Sequence, residues 1–350
     1  MTVNSPNSPN SLNSLTLADV AAVPADIVQR LLAATDVLTV CHENPEADAL
    51  GSALGLALAL ETLGKRATPL CSDVVPPMYE FMPHIDRFRR DPEAGHDYDL
   101  IVVGDCGDLA RVGSVLGRHG DLFGRVPIVN IDHHISNTGF GALNWVDATA
   151  AATCEMDTLL MPALGVPLDA VNGAIAANLM AGVVIDTANF QHPNVTPRTL
   201  RVAAELVGAG APLSDTARLL YRTKPNRQLK LFGLVLGRIE SELDGRLTWS
   251  ALYDSDYEAS GASVEDTEGL SDLLSQSASA EMMLLFRDMG ERTKISVRTR
   301  DGGPDATVLT GLFGGGGHAR ASGATLPQPI DAAIPVVLDA ARRELTERRG

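Results

Sequence analysis

The sequence is short of three things. Its four cysteines, Cys41, Cys71, Cys106 and Cys154, form no Cys-x-x-Cys spacing and each sits in or beside an apolar run. That argues against a disulfide framework and for buried free thiols in a reducing cytoplasm. Basic charge is scarce: 28 Lys and Arg stand against 44 Asp and Glu, a formal net charge of −16. Nonspecific binding to long nucleic acid depends on basic charge, so a long duplex is excluded as a partner. A nucleotide substrate would need local help, from metal ions or a few arginines. Long apolar runs are missing too. The longest, 53–60, is far below the ~20 residues of a membrane span. The opening MTVNSPNSPNSLNSLTLADV has neither a basic nor an apolar signal region and reads as a disordered tail over 1–20. No internal repeat is visible.

What is present is an ordinary globular balance, 45% hydrophobic and 21% charged, over 350 residues, long enough for two cored domains. From Asp36 the chain alternates. DVLTVCH reads as a strand, DALGSALGLALALETLG as a helix stopping at Gly64, and RATPLCS as a strand. DLIVVGD (99–105) and VPIVNID (126–132) are apolar runs ending in acids, as strands buried on both faces do. Helices are expected near 151–163 and 168–181, followed by the run AGVVID ending at Asp186. This predicts an α/β fold with a mostly parallel sheet flanked by helices. A helical connector over 206–225 leads to a smaller α/β domain with a mixed sheet over 226–346. Its expected elements are a helix 226–241, a strand RLTWSAL, a helix near 265–276, two antiparallel strands EMMLLFRDM and TKISVRTR, and a terminal helix 330–346.

The polar residues fall at one place in that pattern. His42, Asp105, Asp132 and Asp186 all end apolar runs, and ligands bind at that edge of an open α/β sheet. His42, Glu46 and Asp48 form one group. Imidazole and carboxylates ligate divalent metals, although a solvated loop with Asp48 capping the next helix accounts for the same residues. Asp105 in VVGDCGD is a second candidate, or a turn cap. Asp132-His133-His134 is a third, in which adjacent side chains at a strand end point apart and can serve two roles. Asp186 is the fourth. Together they favour a two-metal site over four independent caps. In the second domain, Gly315, Gly316 and Gly317 permit close backbone approach and expose N–H groups to an anion. His318 follows them directly. Arg298 and, more weakly, Arg111 are candidates for holding phosphate; a solvated strand arginine is the plain alternative for Arg298.

In order, His-x-Asn-Pro-Glu-x-Asp-Ala-x-Gly-Ser, Asp-Cys, Asp-His-His, a run-end Asp and GGGGHARASG resemble the DHH phosphoesterase superfamily with its DHH-associated C-terminal domain. Within the superfamily the chain most resembles the NrnA-like group of oligoribonucleases and 3′-phosphoadenosine 5′-phosphate phosphatases. The resemblance covers the chain after the tail, with a DHH catalytic domain over 21–205. It implies two divalent ions, Mn2+ first, with Mg2+ or Co2+ as alternatives. His42, Glu46 and Asp105 would hold one. Asp48, Asp105, His133 and Asp186 would hold the other, with Asp105 bridging. His134 would face the scissile phosphate and Asp132 would orient a histidine. The family usually has Asp where this chain has Glu46, one methylene longer.

The implied activity is hydrolysis of short single-stranded RNA or DNA oligonucleotides to mononucleotides, and of nucleoside bisphosphates, by a metal-activated hydroxide. A cytoplasmic homodimer with no membrane partner is expected. No Ser or Cys is placed to form a covalent intermediate. The competing readings are a cyclic or linear dinucleotide phosphodiesterase, a RecJ-like single-strand exonuclease, and a nucleotide-binding regulator whose metal site is impaired at Glu46. The glycine signature argues against a pyrophosphatase.

Overall fold

The computed structural model describes residues 23–347; the tail expected over 1–20 lies outside them. The chain divides into two compact units, one ending at Thr223 and the other starting at Lys224.

The first unit begins with α1 (Ala25–Ala33), β1 (Asp36–Val40), α2 (Ala47–Thr62) and β2 (Arg66–Leu70). Next come β3 (Leu100–Gly104), the short α3 (Ser114–Arg118) and α4 (Gly120–Arg125), β4 (Ile128–Asp132) and β5 (Leu143–Val146). It ends with α5 (Thr153–Leu164), α6 (Ala174–Asp186), α7 (Pro197–Gly208) and α8 (Leu213–Tyr221). The five strands are all parallel, in the order β2-β1-β3-β4-β5. From β1 the chain moves outward to β2, then returns to place β3 on the other side of β1. That reversal is the topological switch point of an open sheet, where a crevice opens beyond the strand ends. Val40 and Val103 are register partners, so His42 and Asp105, each two residues further on, emerge side by side.

The strands β1, β3 and β4 are buried along their whole length, which is why their sequences are continuous apolar runs rather than alternating ones. Helix α2 is buried from Ala47 to Leu60 and packs on α6, itself buried from Ala174 to Val184. Two glycines permit this. A Cβ at Gly51 would stand 2.5 Å from the Asn178 carbonyl oxygen, and one at Gly182 would stand 2.5 Å from Asp48 Oδ1. The second of these glycines leaves the room in which the Asp48 carboxylate sits.

The second unit comprises α9 (Asn226–Leu236), β6 (Glu240–Glu242), β7 (Leu247–Leu252), α10 (Asp254–Ser260), α11 (Leu270–Leu274), β8 (Met282–Asp288) and β9 (Thr293–Thr299). After these come α12 (Ala306–Gly311), β10 (Gly316–His318), β11 (Ala321–Leu326) and α13 (Ile330–Glu347). Its sheet runs β10-β11-β9-β8-β7-β6. It is mixed, since β7 and β8 are parallel while its other pairs are antiparallel. Strand β8 shows period two: Met282, Leu284 and Phe286 join the cluster with Val337 and Ala341 of α13, and Met283 and Leu285 join that of Leu231 and Leu270.

Four local expectations change. The run 181–186 is not a strand approach but the last turns of α6, so Asp186 arrives from a helix C-terminus. A 13-residue buried helix is apolar all round and is indistinguishable from a buried strand by hydropathy over so short a window. The start near 168 gives way to a turn through Val171, Asn172 and Gly173, all at positive φ, before α6 begins at Ala174. The helix 226–241 stops at Leu236, and Glu240–Glu242 is an edge strand. The helix near 265–276 is broken by Gly269 at φ +79° into a 3-10 turn, Val264–Thr267, and α11. Within 206–225, α8 buries Leu220 in the first unit's core.

Candidate two-metal centre

Asp105 leaves the end of β3 at φ +55°, a left-handed conformation that aspartate tolerates better than most residues. Fully buried, it lies at the centre of everything else. Its Oδ2 is 3.6 Å from His42 Nε2, and its Oδ1 is 3.4 Å from His133 Nε2 and 3.6 Å from His134 Nδ1. His42 Nε2 is also 3.2 Å from Glu46 Oε2. His133 Nε2 is 3.1 Å from Asp186 Oδ2 and 4.0 Å from Asp48 Oδ2. Two donor groups result, His42–Glu46–Asp105 and Asp48–Asp105–His133–Asp186, with ligand atoms mutually within 4.8 Å and Asp105 in both. A third grouping sets Asp105 with His133 and His134.

Asp48 and Glu46 exchange the roles a sequence suggests for a helix start. Glu46 is the N-cap of α2: its Oε1 accepts the Ala49 N–H at 3.2 Å, while Oε2 faces His42. Asp48 caps a different helix. Its Oδ2 accepts the Thr153 N–H at 2.7 Å and its Oδ1 the Cys154 N–H at 2.9 Å, at the start of α5.

The charges are lopsided. Among the described residues, Glu46, Asp48, Asp105 and Asp186 pair with histidines and with no lysine or arginine. Burial pushes Asp48 well above the usual carboxylate range, with Asp105 and Asp186 adding repulsion. Burial likewise raises Asp186 and Glu46. Burial would raise Asp105 as well, but hydrogen bonds from His133 and His42 outweigh it and hold that carboxyl well below its usual value. The two histidines answer in kind. Burial opposes their charge, yet the carboxylates carry His42 to about 10 and His133 to about 12. Buried carboxylates that draw protons onto their neighbours are asking for positive charge. Imidazole nitrogens and carboxylate oxygens in two groups sharing one aspartate fit a pair of divalent first-row ions.

His134 stands apart in function. Its Nδ1 is 2.7 Å from Asp132 Oδ1, and this hydrogen bond raises its basicity. Asp132 is wholly buried and also accepts from Asn137 Nδ2 at 2.5 Å. Asn137 further bonds Asn130 Oδ1 at 2.7 Å, and Asn130 reaches the Val103 carbonyl at 3.2 Å. These two asparagines lock the Asp-His-His loop to β3. Neither stood out in the sequence, although both flank the Asp-His-His triplet in VNIDHHISN. The segment after Asp186 was equally silent: Ala188, Asn189 and Phe190 form a left-handed turn, and Asn194 Nδ2 donates to the Asp186 and Ala151 carbonyls. Arg111 lies exposed on the 3-10 turn Leu109–Val112, whose Arg111 carbonyl accepts the Glu43 N–H at 2.7 Å.

In the second unit Arg298 lies on β9 and pairs with Asp272 at 3.2 Å. His318 is exposed on the edge strand β10. The glycine run is not a loose loop but the first arm of a hairpin with β11. A Cβ at Gly317 would stand 2.6 Å from the Ala321 carbonyl oxygen, and one at Gly315 2.5 Å from Ala324 Cβ, so both glycines let the hairpin close. Gly316 faces open space.

A family model for the DHH family N-terminal domain matches residues 36–183, and one for the DHHA1 domain matches 252–347. The chain is 36% identical over 308 residues to the bifunctional oligoribonuclease and PAP phosphatase NrnA of Thermus thermophilus, spanning 87% of this chain and 89% of that protein. It is 28% identical over 285 residues to the protein of the same description from Bacillus subtilis, spanning 81% and 87%. An exopolyphosphatase-related protein from Bacteroides fragilis shares the fold, with a TM-score of 0.82 at 21% identity over 93% of this chain and 97% of that one.

Proposed function

This chain belongs to the DHH family of phosphoesterases, and on that footing we propose that it hydrolyses short single-stranded oligonucleotides to mononucleotides and removes phosphate from 3′-phosphoadenosine 5′-phosphate. The observation that carries the reading is Asp105 shared between two donor groups, in a chain 36% identical to a protein described by those two activities. His42, Glu46 and Asp105 would hold one divalent ion; Asp48, Asp105, His133 and Asp186 would hold the second. The DHH resemblance makes Mn2+ the first candidate, and the carboxylate oxygens of this set suit it. When bound, such a pair neutralises charge on phosphoryl oxygens and lowers the pKa of a water.

The chain's own residues do the rest. His134, fixed through Nδ1 by Asp132, presents Nε2 to the phosphate. As an imidazolium it donates a hydrogen bond to the phosphoryl oxygens and holds a proton for the departing ribose oxygen. Asp132, buried behind it, keeps the ring in one tautomer and one orientation. Glu46 reaches His42 with its second carboxylate oxygen while the first caps α2, so the longer side chain leaves the first donor group complete. That observation supports an active enzyme over a regulator with an impaired site. In the second unit, Arg298 and His318 bind an anionic group of the substrate. The four buried free thiols suit a reducing cytoplasm.

The test is a panel of initial rates with Mn2+ supplied: RNA and DNA of two to five nucleotides, 3′-phosphoadenosine 5′-phosphate, cyclic dinucleotides and pyrophosphate. Turnover of short RNA and of the bisphosphate, abolished by chelation, is expected. Turnover of pyrophosphate alone, or of none of them, overturns the reading.

A further inference from the structure

Helix α5 begins against the metal centre, and its first residue touches both of the carboxylates that matter most. The residue before it, Ala152, has only a methyl and caps nothing. The helix's free N–H groups therefore look elsewhere. Those of Thr153 and Cys154 are taken by the two oxygens of Asp48, which comes from α2 more than a hundred residues earlier in the chain. The Thr153 hydroxyl turns the other way and donates to Asp105 Oδ1 at 3.0 Å. Thr153, Asp48 and Asp105 are all buried.

One residue thus holds both central aspartates, by two chemically separate groups. Its backbone fixes Asp48 and is indifferent to the side chain. Its hydroxyl alone fixes Asp105. The last torsion of an aspartate is broad and two-fold rather than confined to staggered wells. Asp105 has no other side-chain hydroxyl or amide donor among the described residues; its remaining neighbours are the histidines His42, His133 and His134 and the carboxylates of Glu46, Asp48 and Asp186, which share the ligand set with it or stand over the phosphate. We propose that Thr153 is a positioning residue for the metal centre: its hydroxyl sets the plane of the Asp105 carboxylate, so that Oδ2 is turned to the His42–Glu46 group and Oδ1 to the His133–Asp186 group. The inference rests on the two-metal reading above and adds to it the element that arranges the shared ligand before any ion arrives.

The experiment compares Thr153→Val, which removes the hydroxyl at nearly constant shape, with Thr153→Ser, which keeps it. Both leave the backbone bonds to Asp48. Mn2+ is titrated into each purified, metal-stripped full-length chain by calorimetry, and the thermal midpoint of each metal-free protein is recorded. Lost support for a ligand typically weakens a site ~10–100-fold. That loss is expected in Thr153→Val, with Thr153→Ser close to the unsubstituted protein and metal-free midpoints that do not track affinity. Should Thr153→Val fail to fold, Thr153→Ala against Thr153→Ser makes the same comparison. Unchanged Mn2+ affinity without the hydroxyl, or equal losses in the valine and serine variants, overturns the inference while leaving the two-metal site standing. An unsubstituted chain that takes up no Mn2+ overturns the site reading itself, and the inference with it.

Discussion

His318 and Arg298 stand two strands apart in one row of the second unit's sheet, with Ala321 between them. Ala321 is the register partner of His318 on β10 and of Arg298 on β9, and directly paired residues share a face. The backbone positions that carry the imidazole and the guanidinium therefore share a face with a methyl between them, roughly two strand spacings or about 9–10 Å apart, and the guanidinium is held by Asp272. Charge-assisted contacts from such groups recognise phosphate. Arg298→Ala and His318→Ala should raise KM for short RNA and for 3′-phosphoadenosine 5′-phosphate about 10-fold or more, with kcat little changed. Ala321→Leu should do the same by filling the space over that methyl while both polar groups remain. An activated minimal phosphodiester should be hydrolysed almost normally by all three. Equal losses on both substrates would place these residues in the fold or the chemistry instead.

Asp105→Ala should reduce turnover to background, because both donor groups lose their shared ligand. Calorimetry on the same preparation should show the Mn2+ stoichiometry falling below that of the parent chain. A variant with near-parental rate would sink the two-metal proposal.

Glu46→Gln separates the two tasks of that side chain. Gln retains an oxygen for the Ala49 N–H, so the cap on α2 survives and the thermal midpoint should hold. The anionic ligand is lost, so the Mn2+ concentration for half-maximal rate should rise about 10-fold or more. Glu46→Asp should remain active, with altered preference among Mn2+, Mg2+ and Co2+. A metal titration that does not move in Glu46→Gln would mean Glu46 is only a helix cap.

Asp157 offers a pH test away from the ligands. It is fully buried on α5, and among the described residues neither of its oxygens makes a hydrogen bond of good geometry, Ser52 being the polar side chain beside it. Burial pushes its carboxyl up to about 7, with Ser52 pulling the other way and Asp105 adding repulsion. Below about pH 4 the group is protonated in both folded and unfolded chains and changes nothing. As pH rises toward 7 only the unfolded chain releases the proton, so stability is progressively lost. Above 7 the penalty levels off at about 4 kcal/mol. Asp157→Asn removes the titration. Its thermal midpoint should pull ahead of the parent's as pH rises from 4.5 to 7.5, and a gap that stays constant across that range would refute the assignment.

Ala188 adopts φ +46° at the head of the left-handed turn it shares with Asn189 and Phe190. An L-residue there costs roughly 1–2 kcal/mol, part of which glycine returns as extra freedom in the unfolded chain. Ala188→Gly should stabilise the fold by about 0.5–1 kcal/mol, read as a rise of about 2 °C in the thermal midpoint. A lower midpoint would mean that the methyl packs well enough to outweigh the strain.

The sequence by itself determined the buried central strands and the chemistry of their ends. β1, β3 and β4 are buried on both faces, so they must be apolar throughout, and a His or Asp at the end of each such run is conspicuous. The same logic made 47–62 legible as a helix, because no strand runs that long. It failed at 181–186, where a helix buried on every side carries no periodicity to betray it. It missed β5 as well, whose exposed Asn144 and Val146 and buried Trp145 make too short and irregular a pattern. What only the tertiary structure decided is which groups meet. Asp48 precedes Thr153 by more than a hundred residues, yet its carboxylate is where the α5 N–H groups end. Nothing local announces that pairing, because a backbone donor has no side-chain signature and its partner is chosen by the crossing of α2, α5 and α6. Glycines 51 and 182 set how closely those helices approach. The ligand types are written in the chain; the orientation of each carboxylate is a property of the packing.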